Sequence, residues 1–62
     1  MSYSLTYCER TGRPELFPVP EGKSELTIVH QAESEGWVML NGERREVVDV
    51  HRTKRGIQLQ LA

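Results

Sequence analysis

The fold of this 62-residue chain is decided by the stretch Trp37-Val38-Met39-Leu40-Asn41-Gly42, an apolar run that ends in a turn-forming pair. Asn and Gly both accept a positive φ, which a two-residue type I′ hairpin turn requires at its two central positions. A second strand continues to Arg52, and residues 53–56 suit the next turn. Ile57-Gln58-Leu59-Gln60-Leu61 then alternates apolar with polar side chains, as a half-buried strand does. Residues 37–62 therefore predict a three-stranded antiparallel meander.

The two turns together predict which side chains share a face of the meander. A two-residue turn pairs Trp37 with Glu46 and Met39 with Arg44. A four-residue loop pairs Arg52 with Ile57, Val50 with Leu59 and Val48 with Leu61. Because side chains alternate between the two faces along each strand, the core face consists of Trp37, Met39, Val48, Val50, Ile57, Leu59 and Leu61. The opposite face then carries Val38, Leu40, Arg45, Val47, Asp49, His51, Gln58 and Gln60.

The N-terminal half contains a further strand and a segment of ambiguous pattern. Tyr3, Leu5 and Tyr7 alternate with polar residues and predict a strand. Residues 14–23 hold three prolines and predict a loop or a bent edge strand, pinned to the core by Leu16, Phe17 and Val19. The β-branched run 26–30 favours a strand with Leu26 and Ile28 inside. Ser24 could instead cap a helix that ends before Gly36.

These elements predict a single all-β domain over residues 1–62. It would contain four or five short antiparallel strands, arranged as a meander or small barrel of SH3-like scale. The alternative is an α+β unit, in which one short helix at about residues 24–34 packs on the meander through Leu26, Val29 and Ala32.

Size and composition exclude several classes of protein. A chain of 62 residues cannot enclose a large substrate cavity or a dinucleotide-binding domain, and its single cysteine, Cys8, excludes an internal disulfide and a multi-cysteine zinc cluster. No apolar run approaches membrane-spanning length, and the first residues lack the layout of a signal peptide. We expect a cytoplasmic protein with no membrane partner, no cofactor and no small-molecule substrate.

Candidate catalytic and metal-binding residues are few. Asp49 and His51 lie two residues apart on one face, where a carboxylate could orient an imidazole base, but no motif places a nucleophile beside them. Cross-strand polar pairing explains them more simply. His30, His51 and Cys8 lack the spacing of a zinc site. The pattern predicts no bound metal and no enzymatic activity.

Basic side chains are concentrated near the C-terminus. Residues 43–62 carry five basic against three acidic side chains, whereas the whole chain has a net charge of −1. The basic residues form two clusters at opposite ends of one strand, about 23 Å apart at about 3.3 Å per residue. This distribution supports the alternative of a nucleic-acid-binding accessory protein. With Trp37, the best-placed aromatic residue, assigned to the core, the sequence offers no exposed aromatic ladder on which bases could stack. The basic candidates are Arg44, Arg45, Arg52, Lys54 and Arg55.

An apolar cluster on the second face of the meander indicates the preferred function. Val38, Leu40 and Val47 would form an exposed patch rimmed by polar residues, unless a closed barrel lays the N-terminal strand across Val38 and Leu40. Small domains commonly bury such a patch against a second copy or another protein. We therefore expect a non-enzymatic protein-interaction module that forms a homodimer or docks on a larger protein partner. Its size is compatible with a phage or mobile-element accessory protein.

Overall fold

The computed structural model of the chain describes residues 4–10 and 12–62. Within these residues the chain forms β1 (Ser4–Cys8), β2 (Glu15–Leu16), α1 (Glu25–Glu35), β3 (Trp37–Leu40), β4 (Glu43–Thr53) and β5 (Gly56–Leu61). The five strands form one curled sheet in the order β2-β1-β5-β4-β3. The architecture is mostly β, as predicted, and it includes the one short helix of the α+β alternative. Tyr3, assigned to the first strand, lies outside the described residues.

The β3–β4 hairpin has the predicted turn and register. Asn41 has φ 51° and Gly42 has φ 81°, the two positive values that a type I′ turn needs. Trp37 pairs with Glu46 and Met39 pairs with Arg44. The Asn-Gly pair therefore accounts for the turn and register of this hairpin.

A β-bulge in β4 makes the two faces of the sheet differ from those predicted. The predicted pairs Arg52–Ile57 and Val50–Leu59 are present, but Leu61 pairs with Val47 instead of Val48, because the register shifts between Val47 and Asp49. The extra residue of the bulge is therefore Val48. One additional residue reverses the alternation of side chains on the far side of the bulge. The core face predicted for β3 is consequently wrong, although the one predicted for β5 is right.

The core lies between α1 and the concave face of the sheet. Val38 is fully buried, whereas Met39 is 38% exposed and Val48 is 57% exposed. Trp37 is only partly buried. The prediction that these last three side chains belong to the core is therefore wrong. The buried cluster consists of Leu5, Tyr7, Phe17, Ile28, Val29, Ala32, Val38, Leu40, Val47, Ile57, Leu59 and Leu61.

Residues 25–35 form a helix, so the strand predicted over 26–30 is wrong. The Oγ of Ser24 accepts a hydrogen bond from the N–H of Thr27, and Gly36 ends the helix with φ 82°. The buried stripe is Ile28, Val29 and Ala32, while Leu26 is 61% exposed, contrary to both predictions for it. The two caps and burial at helical spacing outweigh the β-propensity of the Thr27-Ile28-Val29 run.

The first and last strands pair in parallel, which makes the sheet mixed where a purely antiparallel sheet was predicted. The register runs from Ser4 opposite Gly56 to Cys8 opposite Gln60. At Gly56 the two backbones approach so closely that a Cβ atom would lie 2.0 Å from the carbonyl oxygen of Ser4. This close approach requires glycine. Pairing with β1 on one side and β4 on the other places β5 at the centre of the sheet.

The first residues of the proline-rich segment 14–23 form an edge strand of the sheet. β2 pairs with β1 through Leu16 opposite Thr6. Phe17 is buried, and its N–H donates to the carbonyl of Leu5 at 2.9 Å. Leu16 is 73% exposed, so its predicted packing on the core is wrong. The segment is therefore anchored by Phe17, with Val19 packed against the same core.

Candidate interaction surfaces

The three residues predicted to bind a partner lie in the core. Val38, Leu40 and Val47 are all buried. The alternative arrangement, with the N-terminal strand laid across them, is also absent, because β1 pairs with β5 while α1 packs against β3. The prediction that these side chains form an accessible patch is wrong, because the bulge at Val48 exchanges the two faces.

The exchange brings a different apolar group to the surface. We call the side of the sheet opposite α1 the outer face. Trp37 and Met39 lie on it, because they alternate with the buried Val38 and Leu40 along β3. Arg44 and Glu46 are their cross-strand partners and share this face. The Cζ atom of Arg44 lies 4.6 Å from the centroid of the Trp37 ring, a cation–π contact.

The remainder of the outer face is polar. The Nε2 of His51 lies 3.4 Å from an Asp49 carboxylate oxygen, and the N–H of Val50 donates to the other oxygen at 2.8 Å. Both side chains are exposed, on the strand next to Gln58 and Gln60. Asp49 and His51 therefore contact each other along one strand, beside the polar Gln58 and Gln60 of the neighbouring strand.

The candidate zinc residues are not brought together. Among residues 4–10 and 12–62, no three His, Cys, Asp or Glu side chains are close enough to hold a metal ion. The Sγ of Cys8 instead donates to the carbonyl oxygen of Gly12 at 3.0 Å. Cys8 therefore contacts the turn that follows β1.

Three of the five basic candidates lie in β4 and have a partner, and the other two lie in the turn that follows it. Arg45 Nη2 lies 3.0 Å from Glu9 Oε1, and Arg52 forms an ion pair with Glu33 of α1. Arg44 lies on Trp37. Lys54 and Arg55, in the β4–β5 turn, have no ion pair within the part of the chain that the structure describes. The structure therefore keeps the two basic clusters apart, at opposite ends of an 11-residue strand.

A buried tyrosine carries the one resolved shift in pKa among the described residues. The hydroxyl of Tyr7 donates to the Glu15 carboxylate at 2.8 Å. This hydrogen bond, together with burial of the ring, raises the pKa of the phenol above its ordinary value, because ionisation would place two negative charges in contact. The pair ties β1 to the edge strand β2 and plays a structural role.

The outer apolar residues could have been found from one irregularity in the sequence. Val47 and Val50 are separated by three positions, while Val48 and Val50 are separated by two. Strict alternation selects the second pair and places Trp37 inside. An apolar interval of three inside a strand is the spacing that a bulge produces.

Comparison with models of protein families, with curated proteins and with solved structures found no match. Within the described residues, no helix has the length and apolar character that crossing a membrane requires. The basis for a functional proposal is therefore the geometry of this chain alone.

Proposed function

We propose that the chain is a small non-catalytic protein-interaction module that associates with a second copy of itself through the outer face. The observation that carries this proposal is that Met39 is exposed and Trp37 is partly exposed on a side of the sheet that α1 does not cover. Exposed aromatic and Met side chains are enriched in protein interfaces.

The charges beside these two residues favour a second copy as the partner. Arg44 and Glu46 project from the same face of β4, two positions apart. In a dimer with two-fold symmetry the same surface meets itself, so Arg44 of one copy can face Glu46 of the other. A patch with one positive and one negative group beside an apolar centre is therefore complementary to itself.

Sedimentation velocity over a range from low micromolar to millimolar protein tests the proposal. We expect the natural chain to form a dimer with increasing concentration. Met39→Lys should remain a monomer, since it places a charge in the centre of the interface. Gln58→Lys is the matched control, because it adds the same charge to a polar part of the outer face and should dimerise normally. A natural chain that stays monomeric at every concentration, or a Met39→Lys variant that dimerises equally well, would contradict the proposal.

Nucleic-acid binding is the second candidate, and the lack of ion pairs at Lys54 and Arg55 supports it. The partial exposure of Trp37 weakens one objection, since an accessible aromatic ring could stack on a base. Glu35 and Glu46, however, line the same open hollow as Trp37, outnumber the basic Arg44 there and would repel a phosphate backbone. We therefore favour the protein partner.

Binding of a labelled single-stranded oligonucleotide separates the two candidates. Nucleic-acid binding requires an affinity that falls steeply between about 50 mM and 200 mM salt. It also requires that Lys54→Glu with Arg55→Glu abolishes binding, while Arg13→Glu, at an exposed site elsewhere, does not. The absence of binding at low salt would eliminate this candidate.

A further inference from the structure

We infer that the groove between α1 and the second half of β4 binds an extended acidic segment of a partner protein, which adds to the sheet as a further strand. This site lies on the α1 side of β4, adjoins the Trp37 hollow at Gly36 and Val47, and does not depend on self-association. Three features of the groove support the inference: an unpaired strand edge, an apolar hollow and a basic end.

The strand edge is unpaired because β4 is much longer than its neighbour. β3 pairs only with residues 43–46 of β4, and the N–H of Val47 donates to the carbonyl of Gly36 at 2.9 Å. Beyond that point β4 pairs with β5 on one side, and no other described strand lies along its second side. Residues 48–53 therefore present a free edge.

The backbone groups along this edge are directed toward an incoming strand. The N–H of Val50 does not point at β5, because it donates to the Asp49 carboxylate at 2.8 Å, and an added strand would have to displace that carboxylate. Because the backbone groups of antiparallel strands point to alternate sides, Arg52 presents its N–H and C=O on the same side as Val50. A partner strand could use these groups as a ladder, as in other cases of β-strand addition.

Two hollows between α1 and this edge can accept side chains of the added strand. One has a volume of about 320 Å³ and an apolar wall formed by Leu26, Val29 and Ile57. The other lies toward Gly36, beside Val48 and Val50. Both include Glu33, so the Arg52–Glu33 ion pair lies where they meet. The exposure of Leu26, which the fold itself does not explain, is accounted for if a partner covers it.

The charges at the Thr53 end of the groove select an acidic partner. Arg52 borders the first hollow, and Lys54 and Arg55 follow it in the turn. Glu33 in that hollow neutralises Arg52, so the free positive charge at this end comes from Lys54 and Arg55. Asp49 lines the other hollow, so the carboxylates of the added segment belong at the Thr53 end. An extended segment with apolar residues at alternate positions and carboxylates between them fits both the hollow and the basic turn.

Selection from a displayed library of random peptides, with the purified chain immobilised, tests this inference. We expect the enriched peptides to be acidic, with apolar residues at alternate positions. Leu26→Lys should weaken their binding by at least about tenfold. Leu16→Lys is the matched control, because Leu16 is similarly exposed but lies on β2, and it should leave the affinity unchanged. Lys54→Glu with Arg55→Glu should also weaken binding.

N-methylation of the best peptide tests strand addition directly. Methyl groups on the alternate amides that face β4 should abolish binding, whereas methyl groups on the intervening amides should not. Enrichment of basic peptides or of none, equal affinity for both methylated forms, or binding that Leu26→Lys leaves intact would overturn the inference. Met39→Lys separates the two proposals: it should abolish dimerisation and leave peptide binding unchanged.

Discussion

At the scale of single residues, Gly56 is a position where the neighbouring strand leaves no room for a side chain. An alanine Cβ there would lie 2.0 Å from the carbonyl oxygen of Ser4, so β1 and β5 would have to separate. We expect Gly56→Ala to lower the free energy of unfolding by about 1–3 kcal/mol, the usual effect of overpacking. Chemical denaturation measures this change.

Gly12→Ala is the control for this substitution. Its Cβ would meet no atom closer than 3.6 Å, so the free energy of unfolding should change by no more than about 0.5 kcal/mol. Equal stability of the two variants would show that the close approach of β1 to Gly56 is absent in solution.

Because of Tyr7, the free energy of unfolding should depend on pH in the alkaline range. The pKa of its phenol is raised in the folded state, first by the hydrogen bond to Glu15 and then by burial. The stabilisation is therefore complete below the unfolded pKa of about 10 and is lost as the pH rises through the folded value. We expect the natural chain to lose more stability than Tyr7→Phe between about pH 9 and pH 12.

Glu15→Gln provides an independent check on the cause of this shift. Without the carboxylate, the pKa of Tyr7 should fall back toward its ordinary value, which spectrophotometric titration of the phenol detects. An unchanged titration curve in this variant would mean that the Tyr7–Glu15 hydrogen bond does not form.

At the scale of elements, α1 depends on its caps. Ser24→Ala removes the acceptor for the N–H of Thr27 and should cost about 1 kcal/mol. Ser34→Ala is the matched control inside the same helix, where the Ser34 hydroxyl donates only to the carbonyl of His30. Because alanine has the higher helix propensity, the control should be neutral or slightly stabilising. Thermal unfolding of both variants tests this, and a larger loss at Ser34 would contradict it.

The elements also show how far local sequence signals reach. The Asn41–Gly42 turn, the β3–β4 register and the buried face of β5 follow from the sequence, because turn residues and strict alternation act over a few positions. The helix was predictable only as an alternative, since its caps compete with a β-branched run. A rule of strict alternation does not predict the bulge at Val48, and this one residue decides which side of β3 is buried.

At the scale of the whole molecule, the sheet is assembled through contacts that no local pattern contains. β1 pairs in parallel with β5, and Arg45 reaches Glu9 across the concave side. The length of β4 beyond β3 leaves a free edge beside α1, which gives the candidate groove. These features depend on how the sheet curls, so the partner-binding residues predicted from faces alone were placed on the wrong side.

The central claim is that the bulge turns Val38, Leu40 and Val47 inward and Trp37 and Met39 outward. The free energies of unfolding of Leu40→Ala and Met39→Ala, measured by chemical denaturation at a concentration where the chain is monomeric, test it most directly. These neighbours in β3 are 4% and 38% exposed. We predict that Leu40→Ala costs about 2–5 kcal/mol or abolishes folding, and that Met39→Ala costs less than about 1 kcal/mol. A greater loss at Met39 than at Leu40 would contradict the account.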